Sequence, residues 1–390
     1  MFLEILKKGV RKSFYLFITR KSLTLYSFID KNRSFSNQDP KGPINWPFFG
    51  VLLRLGEKPH LTYQKWNRQY GGIIKIWLGK NYSMIVSDPV IMKEIWVKDF
   101  KTFADRPKFP TLRKFSFGFQ DLAMVDYESW KGRRELVANY FTRGKLKNSI
   151  PIIDSNAENL IRLMKPYATS KQPKYALNIV LNYVFSTNIP FDEDINGGYL
   201  KRLDTPVNDV IGLLTTGALM DYITILEWIY NIKDKYTSHG FDVLYQIMKE
   251  IYEKHEENLD VENPKDIVDY LIINLKENEG ENKKNIIILM SLNMFLAGFD
   301  TSTSALEWLC YTCANYQDVQ ERVYKELSEV AAGTGKITLA NRTQTPYLNA
   351  VLKEILRYRT LIPLGVPRVA REDAIVCGYY IPKGVSSDQP

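Results

Sequence analysis

The sequence predicts a mainly α-helical chain with a small β portion, and three observations carry that reading. Asn285 to Asn315 is the longest apolar stretch, and from Ile286 to Ala297 it is apolar around nearly every face of a helix, the mark of a helix buried in a large domain. Ile150 to about Tyr270 reads as successive helices broken at Pro166, Pro173, Pro190, Gly197-Gly198 and Pro264. Strand-like runs are confined to Ile73–Leu78, Tyr82–Val86 and Val376–Ile381. The 390 residues are 45% hydrophobic and 13% aromatic, enough for a substantial core. Lys and Arg exceed Asp and Glu by 52 − 44 = 8, and no Lys/Arg block is interleaved with aromatics, so the excess reads as solvated surface and not as a nucleic-acid face.

In chain order, residues 1–37 form a basic leader. Lys7, Lys8, Arg11, Lys12, Arg20 and Lys21 alternate with the apolar patches Phe14–Ile18 and Leu23–Ile29, with no acid from residue 5 to 29. No uncharged run reaches the roughly 20 residues that span a bilayer. An interfacial membrane anchor, a transit peptide and a frayed terminus all fit. Pro40-Lys41-Gly42-Pro43, with Pro47 and Gly50, is a stiff connector into a body expected over residues 38–390. Leu61–Tyr70 reads as a helix closed by Gly71-Gly72, and the next two strands surround the turn Gly79-Lys80-Asn81. Asp88-Pro89 combines an N-cap acid with proline at the first helical position. Lys101–Tyr127 loses periodicity and carries five phenylalanines, which either cover a pocket or pack onto the core. The helix from about Glu128 to Phe141 places Trp130 and Arg134 on one face, where an indole and a guanidinium could hold a carboxylate or phosphate. Val319–Ala332 is amphipathic, and Thr345-Pro346 opens a helix carrying Glu354 and Arg357 one turn apart.

The buried stretch is interrupted by Ala297-Gly298-Phe299-Asp300-Thr301-Ser302. Two small residues admit something bulky to the backbone, a buried acid is costly unless used, and a helical Thr can turn its hydroxyl onto the carbonyl one turn back. The segment therefore reads either as a helix crossing a flat cofactor, with Asp300 and Thr301 handling protons, or as a kinked core helix. Cys310 and Cys313 lack the second pair of a zinc site and are expected to be buried free thiols, and Cys377 lies in the last predicted hairpin. A carboxylate-bridged di-iron bundle would need two Glu-x-x-His pairs on helices, and only Glu57–His60 fits, with a proline inside it.

Taken together these segments resemble the eukaryotic-type cytochrome P450 family over about residues 38 to 384. The matching pieces are the proline-rich hinge, Trp130 with Arg134, Ala297 to Ser302, Glu354 with Arg357, Pro367-Arg368, and Gly378-Tyr-Tyr-Ile-Pro-Lys-Gly384. The resemblance implies a mainly helical, two-lobed domain with a small β lobe and a haem b beneath the long helix. It implies that Trp130, Arg134 and Arg368 contact haem propionates and that Ala297 and Gly298 lie against the macrocycle. Asp300 and Thr301 would deliver protons during oxygen activation, and Glu354 and Arg357 would be structural. The implied reaction is O2-dependent hydroxylation of a small apolar organic substrate, with electrons from an NADPH-dependent reductase or another donor. Membrane association at the endoplasmic reticulum follows by family, with mitochondrial or cytoplasmic placement as the alternative. The Phe-rich loop and Ile211 to Ile229 would line the substrate pocket.

The family's iron is held by a cysteine in a Phe-x-x-Gly-x-x-x-Cys-x-Gly loop, and none of Cys310, Cys313 and Cys377 lies in such a context. The expectation is therefore a domain incomplete at its C-terminus and inactive as the 390-residue chain, with no metal ligand assigned. The alternative is a remnant, or an apolar-ligand or partner-binding module without haem. The tail Val385 to Pro390 is polar where the family shows an apolar strand.

Overall fold

The computed structural model describes residues 24–388 apart from 35, 143, 145–149, 165–197, 217–218, 224–225, 227–239, 277–280, 333–334 and 336. The basic stretch up to Lys21 and the predicted pocket residues 227–229 lie outside the described residues.

The expected long helix runs from Glu281 to Asn315, and its first half is the axis of the helical core. Ile286 to Met290, Leu292 and Phe295 are buried on every face. Around them pack Phe241, Leu244, Ile247 and Met248 of the Gly240–Glu257 helix, Ile267, Val268 and Leu271 of the Ile267–Asn274 helix, and Leu203, Val207 and Val210 of the Gly198–Thr216 helix. Omnidirectional burial is what an apolar run without a polar face demands. Past Phe299 the same helix leaves the core, and Cys310, Tyr311 and Asn315 are exposed. Among the described residues it is the one helix long and apolar enough to cross a membrane, and half of its apolar window is buried within the protein. The Gln317–Ala331 and Pro346–Tyr358 helices follow. Thr345 does not cap the second of these with its side chain. The carboxylate of Glu326 does so from the neighbouring helix, accepting from Tyr347 N at 2.8 Å and Leu348 N at 2.9 Å.

The β portion is a four-stranded sheet in the order β1 (Ile73–Leu78), β2 (Asn81–Val86), β6 (Ser386–Asp388), β3 (Arg368–Val369), and a separate hairpin. β1 and β2 pair from Ile73 opposite Val86 to Leu78 opposite Asn81. Both sheet faces are covered: Ile74, Ile76 and Ile85 pack on Tyr63 and Trp66 of the Pro59–Tyr70 helix, and Ile73, Met84 and Val86 pack on Ile91, Ile95 and Phe103. Asp88 caps its helix as expected, accepting from Val90 N at 2.7 Å and Ile91 N at 3.1 Å. β4 (Ala374–Val376) and β5 (Tyr379–Ile381) turn through Cys377 and Gly378, at φ 50° and 83°. Two successive positive φ values are the signature of a type I′ hairpin, and the second falls on glycine.

Two expectations need correction, and for the Phe-rich segment the packing alternative is seen. The polar tail is a strand: β6 (Ser386–Asp388) runs parallel to β2 and antiparallel to β3 (Arg368–Val369). Its place depends on backbone pairing, which hydrophobic patterning does not report. The Phe-rich segment contains a short helix, Pro110–Phe115, and most of its rings are spent on packing. Phe103 and Phe115 are buried, Phe109 meets Tyr222 at 5.7 Å, and Phe117 stacks on Tyr245 at 4.6 Å. Packing also begins ahead of the proline connector, because residues 24–32 form a helix bound to the β1–β2 hairpin. Lys31 Nζ donates to Gly79 O and lies 4.1 Å from the Trp77 ring, with burial pushing its amine down. Asn32 and Asn45 exchange two bonds of 2.9 Å, and the Asn45 Oδ1 accepts from Trp77 N at 2.8 Å.

Candidate active site

The Ala297–Ser302 segment sits where the long helix comes out of the core. Phe299 is buried, Gly298, Asp300 and Thr301 are half-buried, and Ala297 is exposed. Thr301 does turn back on its own helix, its Oγ1 donating to Ala297 O at 2.7 Å. Asp300 is not fully enclosed, yet desolvation raises its carboxyl pKa above the ordinary value, with the nearby Glu307 adding to the rise. Ala297 and Gly298 thus put two small residues, one exposed and one half-buried, where the helix comes out of the core.

Two predicted cofactor residues meet on a ring that sequence reasoning missed. Trp130, on the Tyr127–Tyr140 helix, lies 5.4 Å from Phe100, and the Arg368 guanidinium of β3 lies 4.9 Å from the same ring. Trp130 also stacks on Tyr127 at 6.1 Å. Arg134, one turn along, is exposed, and among the described residues it makes no ion pair, so the expected Trp–Arg grip is not closed by a protein group.

Arg106 is the second missed residue. Its Nε donates to Ala123 O at 3.1 Å and its Nη1 to Pro367 O at 2.9 Å, which ties the Phe-rich segment to the residue before Arg368. Desolvation, with the like charge of Arg368 second, pushes its guanidinium down to about 10 despite the opposing Asp121. Among the described residues Arg106 forms no salt bridge. The segment it holds reaches the long helix, because Ala123 N donates to Asn293 Oδ1 at 3.0 Å, one turn before Ala297. Phe100 and Arg106 carried no sequence signal, since their partners are carbonyls and rings far away in the chain. Trp130, Phe100, Arg368, Arg106, Ala123 and Asn293 thus form one connected edge that carries two guanidinium groups, with the Asp121 carboxyl close by on Asn293.

Glu354 and Arg357 form the expected one-turn pair, closed bidentately at 2.7 and 2.6 Å. Both are exposed, and the hydrogen bond from Arg357 holds the Glu354 carboxyl below its usual range.

The family model for cytochrome P450 matches residues 40–386. The chain belongs to the cytochrome P450 family. It is 34% identical over 383 residues to "Probable cytochrome P450 519A1" of Dictyostelium discoideum, covering 95% of this chain and 71% of that protein. It is 36% identical over 372 residues to "Probable cytochrome P450 519E1" of the same organism, covering 93% and 73%. A zebrafish cytochrome P450 structure with progesterone superposes with a TM-score of 0.72 over 85% of this chain and 77% of that one, at 24% identity, which speaks for the fold.

The P450 family is one of haem monooxygenases, and its members generally draw electrons from a redox partner to oxidise organic substrates. The residues present fit the periphery of haem: two small residues where the long helix comes out of the core, and an arginine edge whose desolvated charge favours an anionic group such as a propionate. They do not fit its centre. The expectation of buried cysteines is corrected, because Cys310 and Cys377 are exposed and Cys313 is half-buried. The first and last of these follow the long helix out of the core, and Cys377 forms a hairpin tip. No step through the iron is therefore derived for this chain.

Proposed function

We propose that the chain is the body of a P450 monooxygenase acting on a small apolar organic substrate, fed by an NADPH-dependent reductase at a membrane. We propose further that the 390-residue polypeptide by itself is catalytically silent. The observation that carries the reading is the convergence of Trp130 and Arg368 on Phe100 with Arg106 beside them. Bound haem would supply oxygen activation. The chain's residues would do the rest: Arg134, Arg106 and Arg368 take the propionates, Ala297 and Gly298 leave room for the macrocycle, and Asp300 and Thr301 hold protons near the reacting oxygen. The raised carboxyl pKa of Asp300 suits proton donation nearer neutral pH than an ordinary aspartate allows.

The test is the reduced, carbon-monoxide-bound absorption spectrum of the 390-residue polypeptide supplied with haem. The expected result is a band of the histidine or free-haem type. A red-shifted Soret band of the thiolate type would show that one of the three cysteines reaches the iron and would overturn the silent reading.

The helix of residues 24–32 supports the membrane. It turns Leu25, Tyr26, Phe28 and Ile29 to solvent, next to exposed Ile44, Trp46 and Phe48. A fixed apolar face of this kind suits an interface. Flotation with anionic phospholipid vesicles is expected to carry the protein upward, and the double change Phe28→Ser, Ile29→Ser to lower the bound fraction several-fold. Equal flotation of the two proteins would remove this helix from the membrane contact.

A further inference from the structure

A second constellation lies away from the arginine edge, where the last turn of the Gly240–Glu257 helix meets the first turn of the Ile267–Asn274 helix. His255 Nε2 is 2.7 Å from Asp266 Oδ2, and its Nδ1 is 2.9 Å from Ile251 O. A carbonyl oxygen can only accept, so Nδ1 carries a hydrogen and Nε2 is the atom aimed at the carboxylates. Asp269 brings a third ligand atom, and the three lie within 4.8 Å of one another.

The two aspartates are each 1% exposed and are held from behind by backbone. Asp266 Oδ1 accepts from Val268 N at 2.9 Å and Asp269 N at 3.2 Å, and Asp269 Oδ2 accepts from Lys265 N at 3.0 Å. Among the described residues no Lys or Arg forms a salt bridge with either, so one imidazole faces two buried carboxylates. Buried charge of that imbalance calls for a compensating cation. The anchoring of Nδ1 on a backbone carbonyl is the arrangement that fixes a metal-binding histidine. The His255 side chain is 13% exposed, which leaves a way in from solvent.

We propose that His255, Asp266 and Asp269 form a divalent-cation site of the zinc class, independent of the haem reaction, that clamps these two helices together. One nitrogen and two carboxylate oxygens, completed by water, suit Zn2+ at about 2.0–2.2 Å per ligand. To share the ion, Nε2 and Asp266 Oδ2 would part to about 3.3 Å, the edge of a tetrahedron of that size. The sequence hides the site, since the three residues follow neither a cysteine pattern nor a one-turn histidine pair.

The experiment is calorimetric titration of the chelator-treated 390-residue protein with Zn2+, with Co2+ absorption as a second readout. The expected result is one saturable site, tetrahedral-type Co2+ bands, and a raised thermal midpoint in Zn2+. Asp269→Asn, which can keep the Lys265 N bond, and His255→Ala are each expected to weaken binding by about 100-fold or more, since even an outer partner of a metal ligand is worth about 10–100-fold. His60→Ala and His239→Ala are expected to bind as the parent does. No saturable uptake by the parent, or unchanged uptake by Asp269→Asn, would overturn the proposal and leave a proton-bridged His–Asp pair.

Discussion

Phe295→Ala is expected to lose about 3–5 kcal/mol of stability, the range for truncating a fully buried aromatic ring. Phe295 is 0% exposed and lies in the last fully enclosed turn of the long helix, stacked on Phe299 with centroids 6.1 Å apart. Truncating a ring enclosed in this way leaves a cavity, whose cost adds to the lost transfer term. Against the roughly 5–15 kcal/mol that holds a typical domain, such a loss is most of the margin. Urea denaturation followed by far-ultraviolet circular dichroism measures it. Tyr311→Ala, on the exposed half of the same helix, is expected to stay within about 0.5 kcal/mol. Equal losses at the two positions would show that the helix is not divided between core and surface as described.

The second large effect is expected from Ser386→Pro. β6 has a partner on each side, and among the described residues β3 joins the sheet only through β6, although Val369 also bridges to Asp105 outside it. Proline removes a ladder donor and is poorly tolerated in a flanked strand, at a cost of about 3 kcal/mol or more by comparison with a helix interior. Arg368 sits opposite Ser387 in the register. The change therefore strikes both the sheet and the placement of Arg368. The measurement pairs the thermal midpoint with haem uptake, and Ser386→Val is the contrast that keeps the backbone donor. If Ser386→Pro melts with the parent, β6 does not hold the sheet closed.

What patterning could reach was reached. The β1–β2 hairpin, the Asp88 cap and the long buried helix follow from alternation, capping chemistry and omnidirectional apolarity, all properties of neighbouring residues. Thr301 bonding back onto Ala297 was likewise implied by a hydroxyl beside small residues in a helix. β6 was missed because Ser-Ser-Asp has no apolar face, and its pairing is a matter of backbone alone. Arg106 was missed because its acceptors are 17 and 261 positions away. Trp130 and Arg134 share a helix face by spacing, yet one ring turns inward onto Phe100 and the other group stays in solvent, a choice made by the segment packed opposite. The cysteines illustrate the converse: an apolar run predicts burial, but a long helix can outlast the core it crosses.

The latch at residues 24–32 also has a mechanical meaning. Lys31 bonds to the hairpin turn at Gly79, while Asn32 and Ser27 bond to the connector at Asn45 and Phe48, and Asn45 is tied in turn to Trp77 of β1. Any pull on the polypeptide ahead of residue 24 therefore does not unroll the proline connector like a slack tether. It loads the turn between β1 and β2 and passes by way of β2 and β6 to the strand that carries Arg368. A force applied at one end of the chain would be felt, as shear along a sheet, at the arginine edge.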